Sequence, residues 1–419
     1  MAEPVRPTVS GVLELQSQER ESSSSGHGPR GGGRAGSGRG SGGRGGSGRG
    51  GSGRGGNGGG GGGYGFLRQP DRDFRPAPGD IFVPPNLISK LRLRTGLVLE
   101  GPTQRDPRGR GIQLAAVTGV CGHTPDEYAT LKPWDSLTVI DPVDVLWLET
   151  GPEPLTTRVM DLLTPVGKGQ RALIVSPPRA GKTILLEHMA AGVRKNYPDV
   201  QIMMVLVDER PEEVTHFRRS TGAEVLASSN DMDVEQHVRL ARMAFGKAKA
   251  MVEFGHDVVL FLDSLTRLGR AFNKAVPSSG RTMSGGVDIR ALEEPKRMFG
   301  AARKIEGGGS LTVVATCLID TGSRMDELIF QEFKGTGNME LVLSRELAER
   351  RLWPAIDIPG SGTRKEERPV SAEDLKKRYA IRRRLADAKP VEALEALLAA
   401  MAKYPSNRAM LDARSPDTQ

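Results

Sequence analysis

The sequence predicts a two-part fold: a small N-terminal β-barrel followed by an α/β domain built on a mostly parallel sheet. Short strand-like runs crowd residues 10–120, and from about Val166 long apolar runs alternate with helical patterns. Between the first two strand-like runs lies a tract of almost nothing but glycine, serine and arginine. At 419 residues the chain is too long for one ordinary domain. The expected division is 1–125 for the barrel, interrupted by an insertion over about 17–63, and 126–419 for the α/β domain.

The barrel elements come in order. The run SGVLEL (10–15) alternates as a half-buried strand does, and YGFLRQP (64–70) is an aromatic strand. DIFVPPNLISKLRLRTGLVLEG and IQLAAVTGV then read as further short strands separated by turn residues. Closely spaced short strands suit a small closed barrel. The tract therefore reads as an insertion between the first two barrel strands. Arg34, Arg39, Arg44, Arg49 and Arg54 recur every five residues, Arg30 precedes them, and residues 22–63 contain no acid. With scarcely a buriable side chain, such a segment cannot repay the entropy of ordering its backbone, so disorder is expected. Its arginines suit a polyanion such as single-stranded nucleic acid, while a soluble spacer would have the same composition.

The bulk numbers exclude several classes. Cys121 and Cys317 stand too far apart for a metal motif or a disulfide framework, which suits a reducing cytosol. Nothing resembles a signal peptide or a bilayer-spanning run, so the expectation is a soluble, cytoplasmic protein with no membrane partner.

In the α/β part, strand-like RALIV (171–175) leads into GKTILLEHMAAGVRKN, a helical run. IMMVLV (202–207), DVVLFLD (257–263), SLTVVATCL (310–318) and MELVLS (339–344) read as buried strands. A helix is expected from about Met232 to Phe254, with Val234, Val238, Ala241 and Phe245 on one face. The end of the chain, from about Ser371, reads as helical. Such sheets bind ligands at the carboxyl ends of their strands. There the sequence places Gly181, Lys182 and Thr183 at a strand-to-helix junction, the context of a phosphate-binding loop. The usual first glycine is replaced by Ser176, and Pro177 and Pro178 remove two N–H donors. Asp263 ends one strand where a supporting Mg²⁺ group belongs, and Glu209 ends another where a carboxylate could polarise a water. Lys/Thr, Glu and Asp at three strand ends of one α/β domain are unlikely by chance and point to a nucleotide-phosphate site with Mg²⁺; that the nucleotide is ATP is what the resemblance given next implies.

The runs SPPRAGKT, DERPEEVT, LDSLTRLGRAFN, GGVDIRALEEPKRMFGAARKIEGGGSLT, DTGSRMDELIFQEFKGTGNMEL and RRLWPAIDIPGSGTRKEE closely resemble the bacterial transcription termination factor Rho family. The resemblance covers nearly everything from Ser10 onward except the tract. It implies an OB-type RNA-binding barrel and a RecA-like P-loop ATPase domain. The implied activity is that of a hexameric, RNA-dependent ATPase and helicase. Such an enzyme loads on nascent single-stranded RNA and moves 5′ to 3′ to release the transcript from the RNA polymerase elongation complex. By resemblance Lys182 holds the β/γ-phosphates, Thr183 and Asp263 serve Mg²⁺, and Glu209 activates water. Arg179, Ala180, Gly181, Ile184 and Arg210 belong to the nucleotide site, as do Gly167, Lys168, Gly169, Gln170, Arg171 and Ala172. Trp353 packs on adenine, Arg351 makes an inter-subunit contact, and Arg364 is an arginine finger given to a neighbouring subunit.

For RNA, the resemblance implies a primary site at Tyr64, Phe66, Arg68 and Phe82. It also implies two channel loops, SSGRTMSGG (278–286) with Arg281, Thr282, Ser284 and Gly285, and DTGSRMDE (320–327) with Arg324. Gly111 stands where the family commonly has an aromatic lining a base pocket. A rotary or secretion ATPase shares such a core, but the PPRAGKT loop and YGFLR argue against it. A binding protein with a vestigial nucleotide site is disfavoured by the intact Lys182, Thr183, Glu209 and Asp263.

Overall fold

The computed structural model describes residues 7–16, 63–106, 109, 111–277, 282–283 and 285–413; nearly all of the glycine–arginine tract, Arg281 and Ser284 lie outside them. In the N-terminal part, β1 (Thr8–Gln16), β2 (Tyr64–Arg68), β3 (Ile81–Val83), β4 (Val98–Arg105) and β5 (Ile112–Leu114) close in the order β1-β2-β3-β5-β4-β1. A short β6 (Gly119–Val120) pairs with β4. Gln16 faces Tyr64 across the antiparallel β1–β2 pair, so the tract joins two adjacent strands, as the sequence predicts.

β1 does not show simple alternation, because both of its faces are covered. Leu13 packs in the barrel core with Leu67, Val83 and Leu99, while Val12 packs in the core of the α/β part. Glu14 ties the two together, accepting from Arg68 Nε of β2 (2.6 Å) and from Arg239 Nε of the helix Val234–Glu253 (2.9 Å). One expectation fails here. Part of the DIFVPPNLISKL run is a helix, Pro85–Leu91, not strand. Pro85 at its first turn is preset for a helix, and Leu87, Ile88 and Leu91 recur at helical spacing against the barrel core.

The second sheet contains β7 (Val139–Ile140), β8 (Arg171–Ser176), β9 (Gln201–Glu209), β10 (Glu224–Ser229), β11 (Asp257–Asp263), β12 (Arg303–Ile305), β13 (Ser310–Leu318), β14 (Met339–Val342) and β15 (Gly362–Thr363). Its main order is β10-β9-β11-β13-β8-β14-β15, parallel from β10 through β14, with antiparallel β15, β12 and β7 at its margins. The central strands are apolar without alternation because helices cover both faces. One face carries Leu155–Leu163, Lys182–Asn196, Pro211–Ser220 and the C-terminal helices Ala372–Ala386, Pro390–Met401 and Asn407–Asp412. The other carries Val234–Glu253, Leu265–Ala275, Glu293–Phe299 and Arg324–Lys334. Each fully buried side chain such as Phe261 or Leu260 contributes ~1.5–3 kcal/mol. That rigid slab fixes the strand ends where the chemistry sits. No helix among the described residues is long and apolar enough to cross a membrane.

Candidate nucleotide site and nucleic-acid interface

β8 ends at Ser176, and the chain turns through Pro177, Pro178, Arg179 and Ala180 into the helix that begins at Lys182. Gly181 caps that helix at φ +86°, in the left-handed region. A Cβ there would come within 2.7 Å of the Trp353 ring, so glycine is required twice over. Trp353 thus lies against the loop and keeps 42 % of its surface open, free to present a ring face to a flat ligand. Arg179, Ile184, Arg210 and Arg351 are exposed around the same edge, Thr183 is half-buried, and Ala180 is buried beneath the turn.

Two carboxylates converge on Lys182. Its Nζ donates to both oxygens of the fully buried Asp263 (2.6 Å each) and lies 3.8 Å from Glu209 Oε2. Thr316 Oγ1 donates to Asp263 Oδ1 (2.7 Å), and Arg267 Nη1 pairs with Glu209 Oε1 (2.9 Å) while also donating to the Asp208 carbonyl. Glu209 is 1 % exposed, and its Oε2 has no hydrogen-bond partner. Burial, reinforced by the Asp263 charge, pushes the Glu209 carboxyl above the usual range against the opposing pull of Lys182 and Arg267. The result is a carboxylate more basic than usual, with one oxygen free to accept from water. Sequence reasoning missed Arg267 and Thr316. Arg267 lies four residues past Asp263 in the next helix, and Thr316 is a hydroxyl inside an otherwise apolar strand; both features were visible in the sequence.

Other expected nucleotide residues sit elsewhere. The run from Gly167 to Ala172 enters β8 at its amino end, and six residues at ~3.3 Å each put ~20 Å between it and the P-loop. Within one chain these residues therefore do not reach the loop. Gly169 N donates to Thr312 Oγ1 (2.8 Å), Gln170 Nε2 to Asn338 Oδ1 (2.8 Å), and Lys168 Nζ to Asp257 Oδ2 (2.6 Å), while Ala172 is core. Arg364 is at this same edge. With Arg171, Asn338, Lys365 and Asp141 it lines a cavity of about 230 Å³. Burial, with Arg303 and Arg364 nearby, lowers the Arg171 pKa, the mark of crowded guanidinium groups suited to an anion.

On the barrel, Tyr64, Phe66 and Phe82 form a triangle with ring centroids 5.7–5.8 Å apart, all half-buried. Arg68, expected in the RNA site, does not stand free there. It is buried, held by Glu14 and Asp80, and stacked 4.9 Å from the Phe66 centroid, so its charge is neutralised and it buttresses the ring. Gly111 has φ +118°, and nothing lies within 4 Å of where its Cβ would be, which leaves open space beside Ile112. In the α/β part, the backbone of Gly285 abuts that of Arg324, bringing the two expected channel loops together. Thr282 and Arg324 are exposed there. Arg270 and Thr321 hold the buried Asp326 beneath Arg324.

Fold and site define a P-loop ATPase domain joined to an RNA-binding barrel. Residues 156–362 match the nucleotide-binding domain of the ATP synthase alpha/beta family, and residues 61–126 match the RNA-binding domain of Rho termination factor. Transcription termination factor Rho of Cereibacter sphaeroides is 47% identical over 356 residues, covering 83% of this chain and 84% of that protein. Its counterpart in Haemophilus influenzae is 49% identical over 80% of this chain and 81% of that protein, and the Aquifex aeolicus one 46% identical over 84% and 81%. The chain belongs to the Rho family of transcription termination factors. A solved ATPase from the type III secretion system of pathogenic bacteria superposes with TM-score 0.56 at 24% identity over 67% of this chain and 86% of its own. The assembled ATPase EscN of the enteropathogenic E. coli type III secretion system does so at 0.53 and 22%, over 68% and 73%. These two likenesses are of fold alone.

Proposed function

We propose that this protein is an RNA-dependent ATPase and helicase that works as a homohexamer, with each ATP site completed by a neighbouring subunit. On this reading residues 1–125 load single-stranded RNA, residues 126–419 form the motor, and 5′-to-3′ movement releases transcripts from the RNA polymerase elongation complex. The observation that carries it is the split of the phosphate-binding groups: Lys182, Glu209 and Asp263 stand at one sheet edge, while Arg364 and Arg171 stand at the other. Head-to-tail packing in a ring would bring the second edge of one subunit to the first edge of the next.

In such a site the helix N-terminus at Lys182 and the Lys182 ammonium bind the phosphates of ATP. Glu209 Oε2 accepts a proton or hydrogen bond from the attacking water, and Trp353 packs on the base. The Arg364 of a neighbour offsets charge that develops in the transition state, an effect worth ~10³–10⁵ in rate. The donor groups present fit Mg²⁺: the half-buried Thr183 hydroxyl at the helix start and the buried Asp263 carboxylate stand at one sheet edge, so the ion would rest on Thr183, phosphate oxygens and waters held by Asp263. Bound there, Mg²⁺ would neutralise phosphate charge.

ATP hydrolysis with and without pyrimidine-rich single-stranded RNA, for wild type beside Glu209→Gln, tests this. RNA stimulation that vanishes in the variant is expected. Hydrolysis indifferent to RNA would favour a secretion-type ATPase, and RNA binding without hydrolysis a binding protein.

A further inference from the structure

We propose that Asp73 is a positioning residue for Glu209, through which the RNA-binding barrel holds the catalytic carboxylate in place. The proposal rests on the RNA-dependent ATPase reading and names the contact by which the two parts communicate.

Asp73 lies just past the 3₁₀ turn Pro70–Arg72 that follows β2, the strand carrying Tyr64 and Phe66. It belongs to the barrel by sequence, yet all but one of its side-chain partners are in the motor. It is 2 % exposed, and its carboxylate accepts from Arg218 Nη2 (2.7 and 2.9 Å to the two oxygens) and from the Ala227 amide (2.8 Å). Its carbonyl accepts from Gln236 Nε2 (3.0 Å), and Arg75 Nη2 lies 3.3 Å from Oδ2. The next residue, Phe74, is completely buried in the motor core with Leu226 and Val238.

Both elements that Asp73 grips lead to Glu209. Arg218 is on the helix Pro211–Ser220, whose N-cap, Arg210, directly follows Glu209. Ala227 is in β10, whose last residue, Ser229, pairs with Glu209, and the Asn230 amide donates to the Glu209 carbonyl (3.0 Å). One buried carboxylate therefore fixes the helix after Glu209 and the strand beside it. Asp73 and Phe74 have φ of +53° and +57°, two successive non-glycine residues in the left-handed region. Such a conformation persists only where the surroundings over-determine it, and it recurs where backbone strain serves a mechanism. A shift of β2 when bases stack on its aromatic face has a direct route through this hook to Glu209. Only the Asp73 side of this ion pair is buried, so the pair acts chiefly by fixing geometry, not by adding stability.

The experiment uses the full chain and compares Asp73→Asn, Arg218→Gln and the double variant. Arg218→Gln is the safeguard against misfolding, because Arg218 is partly exposed. At saturating RNA, kcat is expected to fall about tenfold in each single variant, the scale of a small misplacement of a reacting group. KM for ATP and Kd for the same RNA should stay within about twofold of wild type, since neither binding surface is touched. The double variant should lose no more than either single one, because both cut the same link. Unchanged kcat in folded Arg218→Gln, or a kcat loss matched by equal loss of RNA affinity, overturns the proposal while leaving the RNA-dependent ATPase intact. A wild type that RNA does not stimulate overturns that reading and this inference with it.

Discussion

Replacing Arg267 by Gln should move the pH dependence of hydrolysis in a defined direction. On the proposed function Glu209 works as the ionised carboxylate, so activity should fall as pH drops through its pKa. Burial and Asp263 already hold that pKa above the usual carboxylate range, while Lys182 and Arg267 pull it down. Arg267 Nη1 is 2.9 Å from Oε1, and Glu209 is almost wholly shielded from solvent, so little water screens the pair. Removing the guanidinium takes away one lowering influence and leaves the raising ones. The acid limb should therefore move to higher pH, and at a fixed pH on that limb kcat should fall about tenfold, the lower end of what losing a neighbouring opposite charge does. The assay is kcat against pH at saturating ATP and RNA for wild type and Arg267→Gln. A limb that stays in place while the plateau falls would refute the electrostatic argument and leave Arg267 only a geometric role.

Two further outcomes are expected. Phe66→Leu keeps apolar volume but removes a stacking face, so affinity for single-stranded RNA should weaken about fivefold or more by filter binding, with ATP binding unaffected. Deleting residues 22–63 removes six arginines beside the barrel, so it should weaken RNA binding and flatten its salt dependence in a titration of Kd against salt; an unchanged slope would show the tract to be a spacer.

Much of this arrangement was legible in the sequence because one rule governs it. Strands buried on both faces must be apolar without alternation, and β8, β9, β11 and β13 stand out as such runs. Those strand ends bring Lys182, Asp263 and the pair Asp208/Glu209 to one edge, and the family resemblance singles out Glu209. β10 escaped notice because Ser228 and Ser229 dilute its apolar run, although Leu226 and Ala227 are core. The helix Pro85–Leu91 was hidden among strand-forming residues, and only Pro85 followed by the 87/88/91 spacing marks it. Three-dimensional pairing was the harder limit. Nothing in YGFLR says that its arginine would be neutralised by Glu14 and Asp80, residues on either side of it in sequence but across strands in space. The strand RALIV already separates Gly167–Gln170 from Lys182 in the sequence; only the family resemblance joins them into one site, although in the fold a strand's length divides them.

That division supplies the most direct test of the central claim. Glu209→Gln and Arg364→Ala chains, each inactive alone, are co-assembled in equal amounts, mixing of subunits is verified by native mass spectrometry, and RNA-stimulated ATP hydrolysis is measured. In a head-to-tail ring roughly a quarter of the interfaces would then join an intact Glu209 to an intact Arg364. The account predicts that hydrolysis reappears, approaching that share of the wild-type rate. A mixture as inactive as its parts would contradict an ATP site shared between subunits.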